Sequence, residues 1–271
     1  MRGTLRALAF RIFRIMVVAF AAYVAIAWAY QSGRIWLGYT IAVAILSAWL
    51  GFSLLRARKG SQERKAARWE AAIFDGKRRA RAIAEVKRAI KKLTPVRPSS
   101  RREHAKLSVL LAELLDAEGD YEGAMAAVDS LTLAALPALD VGLVRHTRAV
   151  THLRGSDAAG ALLALEGREP TTDRELDLRL VLLEAYARIE QGQIEQGLAR
   201  VDEVAHASGI DASVVTEARV VRAAALDAQG RREEALVMLA ALGRDALAPL
   251  SELGHPRVRE LAKIVLDGFA A

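Results

Sequence analysis

The sequence predicts an all-α chain: a two-helix transmembrane hairpin followed by an α-solenoid of stacked helix pairs. Three observations carry this expectation. Two uncharged runs, 15–33 and 35–55, are separated by Arg34 alone. Ala, Leu and Arg abound while aromatics make up 6% of the 271 residues, an inventory that favours helices over strands. One pattern, an apolar run closed by Gly and followed by polar residues and a second apolar run, recurs at Gly119, Gly155, Gly192 and Gly230.

The hairpin comes first. About 20 residues at 1.5 Å rise span roughly 30 Å of hydrocarbon. Arg34 at a bilayer centre would cost about 2.5–3.5 kcal/mol, so it belongs in a turn at the far surface. Gln31-Ser32-Gly33 supply the turn, and Trp28, Tyr30, Trp36 and Tyr39 flank it as an interfacial belt. Arg2, Arg6, Arg11 and Arg14 precede the first span, and Arg56, Arg58, Lys59, Arg64 and Lys65 follow the second. This asymmetry places both termini in the cytoplasm of a multi-pass cell-membrane protein. Cleavage after Ala27-Trp28-Ala29 is the competing reading, and it leaves the downstream region on the same side. Small residues recur every four positions (Ala21, Ala25 and Ala29; Gly38 and Ala42; Ser47 and Gly51) and suit close helix packing within the hairpin or between copies. Neither span holds Asp, Glu, Lys or His, so an ion path has no carrier.

Charge is segregated along the chain. Residues 1–55 carry a net +5, residues 56–102 a net +13, and residues 103–271 a net −11. The basic connector, 56–98, reads as helical, and its residues 62–95 are alternatively a degenerate first repeat pair around Gly76. Ile83, Val86, Ile90 and Leu93 line one face, with Trp69, Ile73 and Phe74 ahead of an Asp75-Gly76 break and a stop at Thr94-Pro95. Arg56, Arg58, Lys59, Arg64 and Lys65 are the expected contacts to anionic lipid headgroups. Nucleic acid is not expected, because no zinc motif, RNP pattern or helix-turn-helix accompanies the charge. The absence of Cys excludes disulfides and thiolate chemistry.

The repeats occupy 99–271. Their leading Gly residues step by 36, 37 and 38, a period that signals a solenoid. Within a copy, Gly with positive φ closes the first helix, and acidic or polar residues open the second at the positive end of its dipole. Five residues after each Gly stands Ala124, Gly160, Gly197 or Ala235, small enough for the two helices to cross closely. The segments AEGDYEGAMAAV and AQGRREEALVML resemble the tetratricopeptide repeat family over about 103–243, with longer repeats and few of the family's aromatics. HPRVRELAKIVLDGFAA, with Pro256 at a helix start, fits a terminal capping helix. The layout of hairpin, basic connector and repeats is also similar to bacterial inner-membrane repeat proteins associated with haem biosynthesis, as a layout rather than by diagnostic residues.

Chemistry has no visible carrier. His146 and His152 are six apart without acids at metal spacing, and His104, His206 and His255 are scattered. Ser156 sits at a repeat turn, where Ser and Asp cap helices. No phosphate-cradling or dinucleotide loop is present. The expectation is a non-enzyme with no cofactor, no metal and no catalytic residue. The family resemblance implies that first helices line a concave groove, which places Glu113, Asp116, Arg145, His152, Arg179, Tyr186, Glu217 and Asp227 there. The partner would be a protein or peptide with a basic segment, matched to the −11 repeats. An assembly factor that oligomerises through the hairpin is the alternative.

Overall fold

The computed structural model describes residues 24, 63–93 and 98–269. Apart from Val24, which is helical and exposed, both apolar runs lie outside the described residues, as do Arg56, Arg58, Lys59 and the expected stop at Thr94-Pro95. Among the described residues no helix is long and apolar enough to cross a membrane. The chain divides into two compact units, Met1–Arg68 and Trp69–Ala271. Arg64 and Lys65 are exposed on helix α1, residues 63–71. The second unit begins at Trp69, so it takes in the apolar half of the basic connector.

No strand occurs among the described residues. A 3₁₀ turn, Ala72–Phe74, leads to α2 (Gly76–Lys91), where the Asp75 side chain accepts from the Lys77 backbone N–H. Four helix pairs follow: α3 (Pro98–Glu118) with α4 (Tyr121–Asp129), α5 (Ala138–Arg154) with α6 (Ala158–Leu165), α7 (Arg174–Glu190) with α8 (Ile194–Ala205), and α9 (Ala212–Ala228) with α10 (Arg232–Ala240). Then come α11 (Arg244–Leu253) and α12 (Pro256–Gly268), the latter with Pro256 in its first turn. Each first helix packs on its own partner and on the next first helix, giving the series α3, α5, α7, α9, and α12 closes the stack against α9 and α10. This is solenoid-like packing of an all-helical chain.

Two core clusters fill the unit. One joins α2, α3, α4 and the start of α5 around Val86, Leu114, Val128 and Val144; the other runs from α5 to α12 around Leu180, Tyr186, Ile189, Leu239 and Leu261. The stripe on α2 points into the first cluster, where Val86 is fully buried with Ile83 and Ile90 beside it. Its role is packing. The charged positions Lys77, Arg78, Lys87, Arg88, Lys91 and Lys92 remain exposed.

The turns correct the repeat register by one residue in the second pair. Gly119, Gly192 and Gly230 take the left-handed conformation, with φ of 88°, 78° and 79°. Gly155 does not; its φ is −78°, and Ser156 takes φ 63° instead. Ser156 therefore serves as the helix-closing residue rather than as a cap, at roughly 1 kcal/mol of conformational strain. Asp157 caps α6, accepting from the Gly160 N–H at 2.9 Å, as Asp120 caps α4 through Gly123. Counted from the left-handed residue, the close-crossing position in this pair is Ala161, fully buried like Ala124 and Ala235, and not Gly160.

Candidate functional site

The first helices present one side of the stack to a groove that α11 crosses. His146, Val150 and Arg154 of α5, Arg179, Leu182 and Tyr186 of α7, and Glu217 and Val221 of α9 face Ala246, Pro249, Leu250 and Leu253 of α11 around a cavity of about 340 Å³. A neighbouring cavity of about 350 Å³ is lined by Ile73, Phe74, Glu113, Asp116, Thr147, Thr151 and Pro249, Leu250 and Leu253 of α11.

Of the residues expected in the groove, Glu113, Asp116, Arg179, Tyr186 and Glu217 line these two cavities. Asp227 lies at the end of α9, where it and Glu190 are bridged by Arg257 of α12, each at 2.8 Å. That clasp ties α12 to two first helices. Arg145 and His152 are elsewhere. The Arg145 guanidinium donates to the carbonyls of Glu166 and Gly167 beyond α6. His152 Nδ1 meets the Asp157 carboxylate at 2.9 Å, and its ring fills the space a β-carbon on Gly160 would take. The helical period explains both: at 100° per residue, positions 145 and 152 lie about 160–180° from Arg154. The stripe that does face the groove is Thr147, Val150, Thr151 and Arg154, spaced three, one and three. That spacing was available in the sequence; the direction it faces was not. His255 and α11 had no signal.

Ionisable groups stand at fixed points along the groove. Arg154 pairs with buried Asp116, and Arg179 pairs with Glu175 at 2.6 Å and Glu217 at 3.2 Å. Burial pushes Glu113 up to about 7, reinforced by Glu70 and Asp116 and opposed by Arg154. Burial likewise raises Asp116 and Glu217 against the pull of their arginines. His146 is driven down to about 4 by burial and then by Arg179 and Arg154, and His255 to about 3 by burial, Arg154 and His146. Both imidazoles are therefore neutral at pH 7. Tyr186 stacks on His255 with ring centroids 4.5 Å apart, and its hydroxyl is held above its ordinary range by burial and by Glu190. Glu190 acts on that hydroxyl without hydrogen-bond geometry.

These shifts set the acid response. The unfolded chain protonates the two histidines near pH 6.5, whereas the folded chain resists until about 4 and 3, so stability falls as pH drops below 6.5. Glu113 works the other way, since the folded state takes its proton first, between about 7 and 4.5. Asp116 and Glu217 act in the same sense as Glu113, whereas Asp157, lowered by the Gly160 N–H, and Glu184, lowered against its burial by Arg188 and Arg168, join the two histidines. The denaturant midpoint is expected to decline from pH 6.5 toward 4, and Glu113→Gln to steepen that decline; a midpoint that is flat or rises on acidification refutes the assignment.

Among the described residues no three His, Asp or Glu side chains are grouped to hold a metal ion. The arrangement is a partly apolar trough with charged residues at fixed points. Comparison with family models, with curated proteins and with solved structures found no match.

Proposed function

We propose that the chain is a membrane-anchored scaffold whose tetratricopeptide-like repeats bind a protein partner on the cytoplasmic side. The observation that supports this most is the convergence of Glu113, Asp116, Arg179, Tyr186 and Glu217, from three different first helices, on one groove. Apolar walls with a few placed polar groups suit an extended or helical segment of another protein. The net −11 of residues 103–271 favours a partner with a basic segment. The uncharged runs 15–33 and 35–55 supply the anchor, and Arg56, Arg58, Lys59, Arg64 and Lys65 supply contacts to anionic headgroups.

The test is affinity purification of the full-length chain from native membranes in mild detergent. A saturable co-eluting protein is expected, reduced about tenfold or more by Glu113→Lys with Glu217→Lys, a loss of at least about 1.4 kcal/mol. Equal recovery with the charge-reversed groove, or no saturable partner, removes the reading. Extraction without detergent, or labelling of a carboxyl-terminal tag from outside intact cells, removes the anchored topology.

A further inference from the structure

We infer that α11 is a resident pseudo-ligand: it sits where a partner's amphipathic helix docks, and the partner displaces it. This deepens the scaffold reading and rests on it. α11 turns Ala246, Pro249, Leu250 and Leu253 toward the groove, spaced three, one and three, while Arg244, Asp245, Ala248 and Glu252 are exposed and Leu247 alone is buried in the core. That is the spacing by which an amphipathic helix lies in an apolar trough.

Two features distinguish α11 from an ordinary core helix. Its backbone packs extensively only with α12. Groove-wall polar atoms are also unmet. The Thr151 hydroxyl and Asp116 Oδ1 belong to residues at most 5% exposed, and they have no hydrogen-bond partner among the described residues. A fitted occupant would satisfy groups of this kind.

α11 is also built to let go. It has ten residues, and Pro249 in its interior removes one helical hydrogen bond and crowds the carbonyl of Asp245. Gly243 enters it at φ 83° with open space around its α-carbon. A short, Pro-interrupted helix with little backbone packing belongs to the low-stability end of a structure. Tethering makes it an effective competitor all the same, because a linked segment acts at millimolar local concentration. The partner is thus a protein helix with apolar residues at i, i+3, i+4 and i+7, and it binds only by outcompeting α11.

The native chain has no Cys, so an introduced pair is unambiguous. Val150→Cys with Leu253→Cys, joined by a reductant-cleavable dithiol linker in the full-length protein, locks α11 in place. The probe is a fluorescent peptide of residues 243–255, GRDALAPLSELGH. Affinity for the probe is expected to fall about tenfold or more on locking and to recover on reduction, while Leu250→Ser with Leu253→Ser tightens it about tenfold over the native chain. Equal affinity in locked and reduced protein overturns the inference, as does exchange of α11 between two copies in place of probe capture. Should locking leave the co-purifying protein unchanged while Glu113→Lys with Glu217→Lys removes it, the scaffold reading stands and the pseudo-ligand falls. Lock-sensitive probe binding with no co-purifying protein upholds the displaceable seat of α11 and removes the scaffold reading.

Discussion

Gly197→Ala is expected to destabilise the repeat unit by about 2 kcal/mol, a drop of roughly 4–8 °C in Tm for a body of this size. On α8, a β-carbon at this position would stand 2.6 Å from Ile189 Cγ1 and 2.8 Å from the Ala185 carbonyl oxygen of α7. Ala185 is fully buried and Ile189 nearly so. Ile189 can rotate only into neighbours already in contact. The carbonyl belongs to the interior of a 17-residue helix and moves only if the whole helix does. Alanine gains up to about 1 kcal/mol in helix propensity over glycine, which offsets part of the overpacking. Gly123→Ala is the control. Its β-carbon would meet only the Asp120 carboxylate, 2.3 Å away, and an exposed side chain can turn aside. The expected loss there is the cap, about 1 kcal/mol. Thermal unfolding followed by circular dichroism separates the two. If Gly197→Ala melts with the native chain, the close approach of α7 and α8 is not a constraint.

That glycine also shows how far the sequence can be read. Spacing from Gly192 to Gly197 locates the crossing of α7 and α8, and the same spacing holds from Gly119 to Ala124 and from Gly230 to Ala235. It slips in the second pair because Ser156, not Gly155, adopts the left-handed φ. Composition favours Gly at that place, but one residue of helix length decides which of two adjacent positions must bear it. The capping carboxylates Asp120, Asp157, Asp173 and Asp211 were legible by type, since short acids accept from the first N–H groups of a helix. The groove was half legible. Glu113, Asp116, Arg179, Tyr186 and Glu217 follow from identifying first helices, whereas Arg145 and His152 fail because helix rotation about its own axis is set by packing. The seating of α11 was not legible at all. Its apolar spacing matches an ordinary amphipathic helix, and only the tertiary arrangement turns that face toward the groove instead of into the stack.

Arg154→Met is expected to have the largest effect on folding, about 3–5 kcal/mol at pH 7, because it leaves a carboxylate buried without its cation. Asp116 on α3 is 2% exposed at its side chain, and Arg154 on α5 is its ion-pair partner. Burial already raises the Asp116 pKa in the native chain despite that pair. Once Arg154 is gone, more distant Arg259 is the remaining cation acting on it, so the folded variant escapes the penalty by taking up a proton. The sign follows. A folded pKa far above the unfolded value of about 3.9 means the native state binds the extra proton, and stability falls as pH rises by up to about 1.4 kcal/mol per unit. The variant therefore recovers part of its loss between pH 8 and pH 5, against the native trend set by His146 and His255. Asp116→Asn added to Arg154→Met removes the charge and is expected to restore most of the loss and to abolish the added pH slope. Denaturant midpoints of the three proteins from pH 5 to 8 decide it. A loss that is constant across that range, or that survives Asp116→Asn, would show that Arg154 holds α3 to α5 by packing rather than by charge.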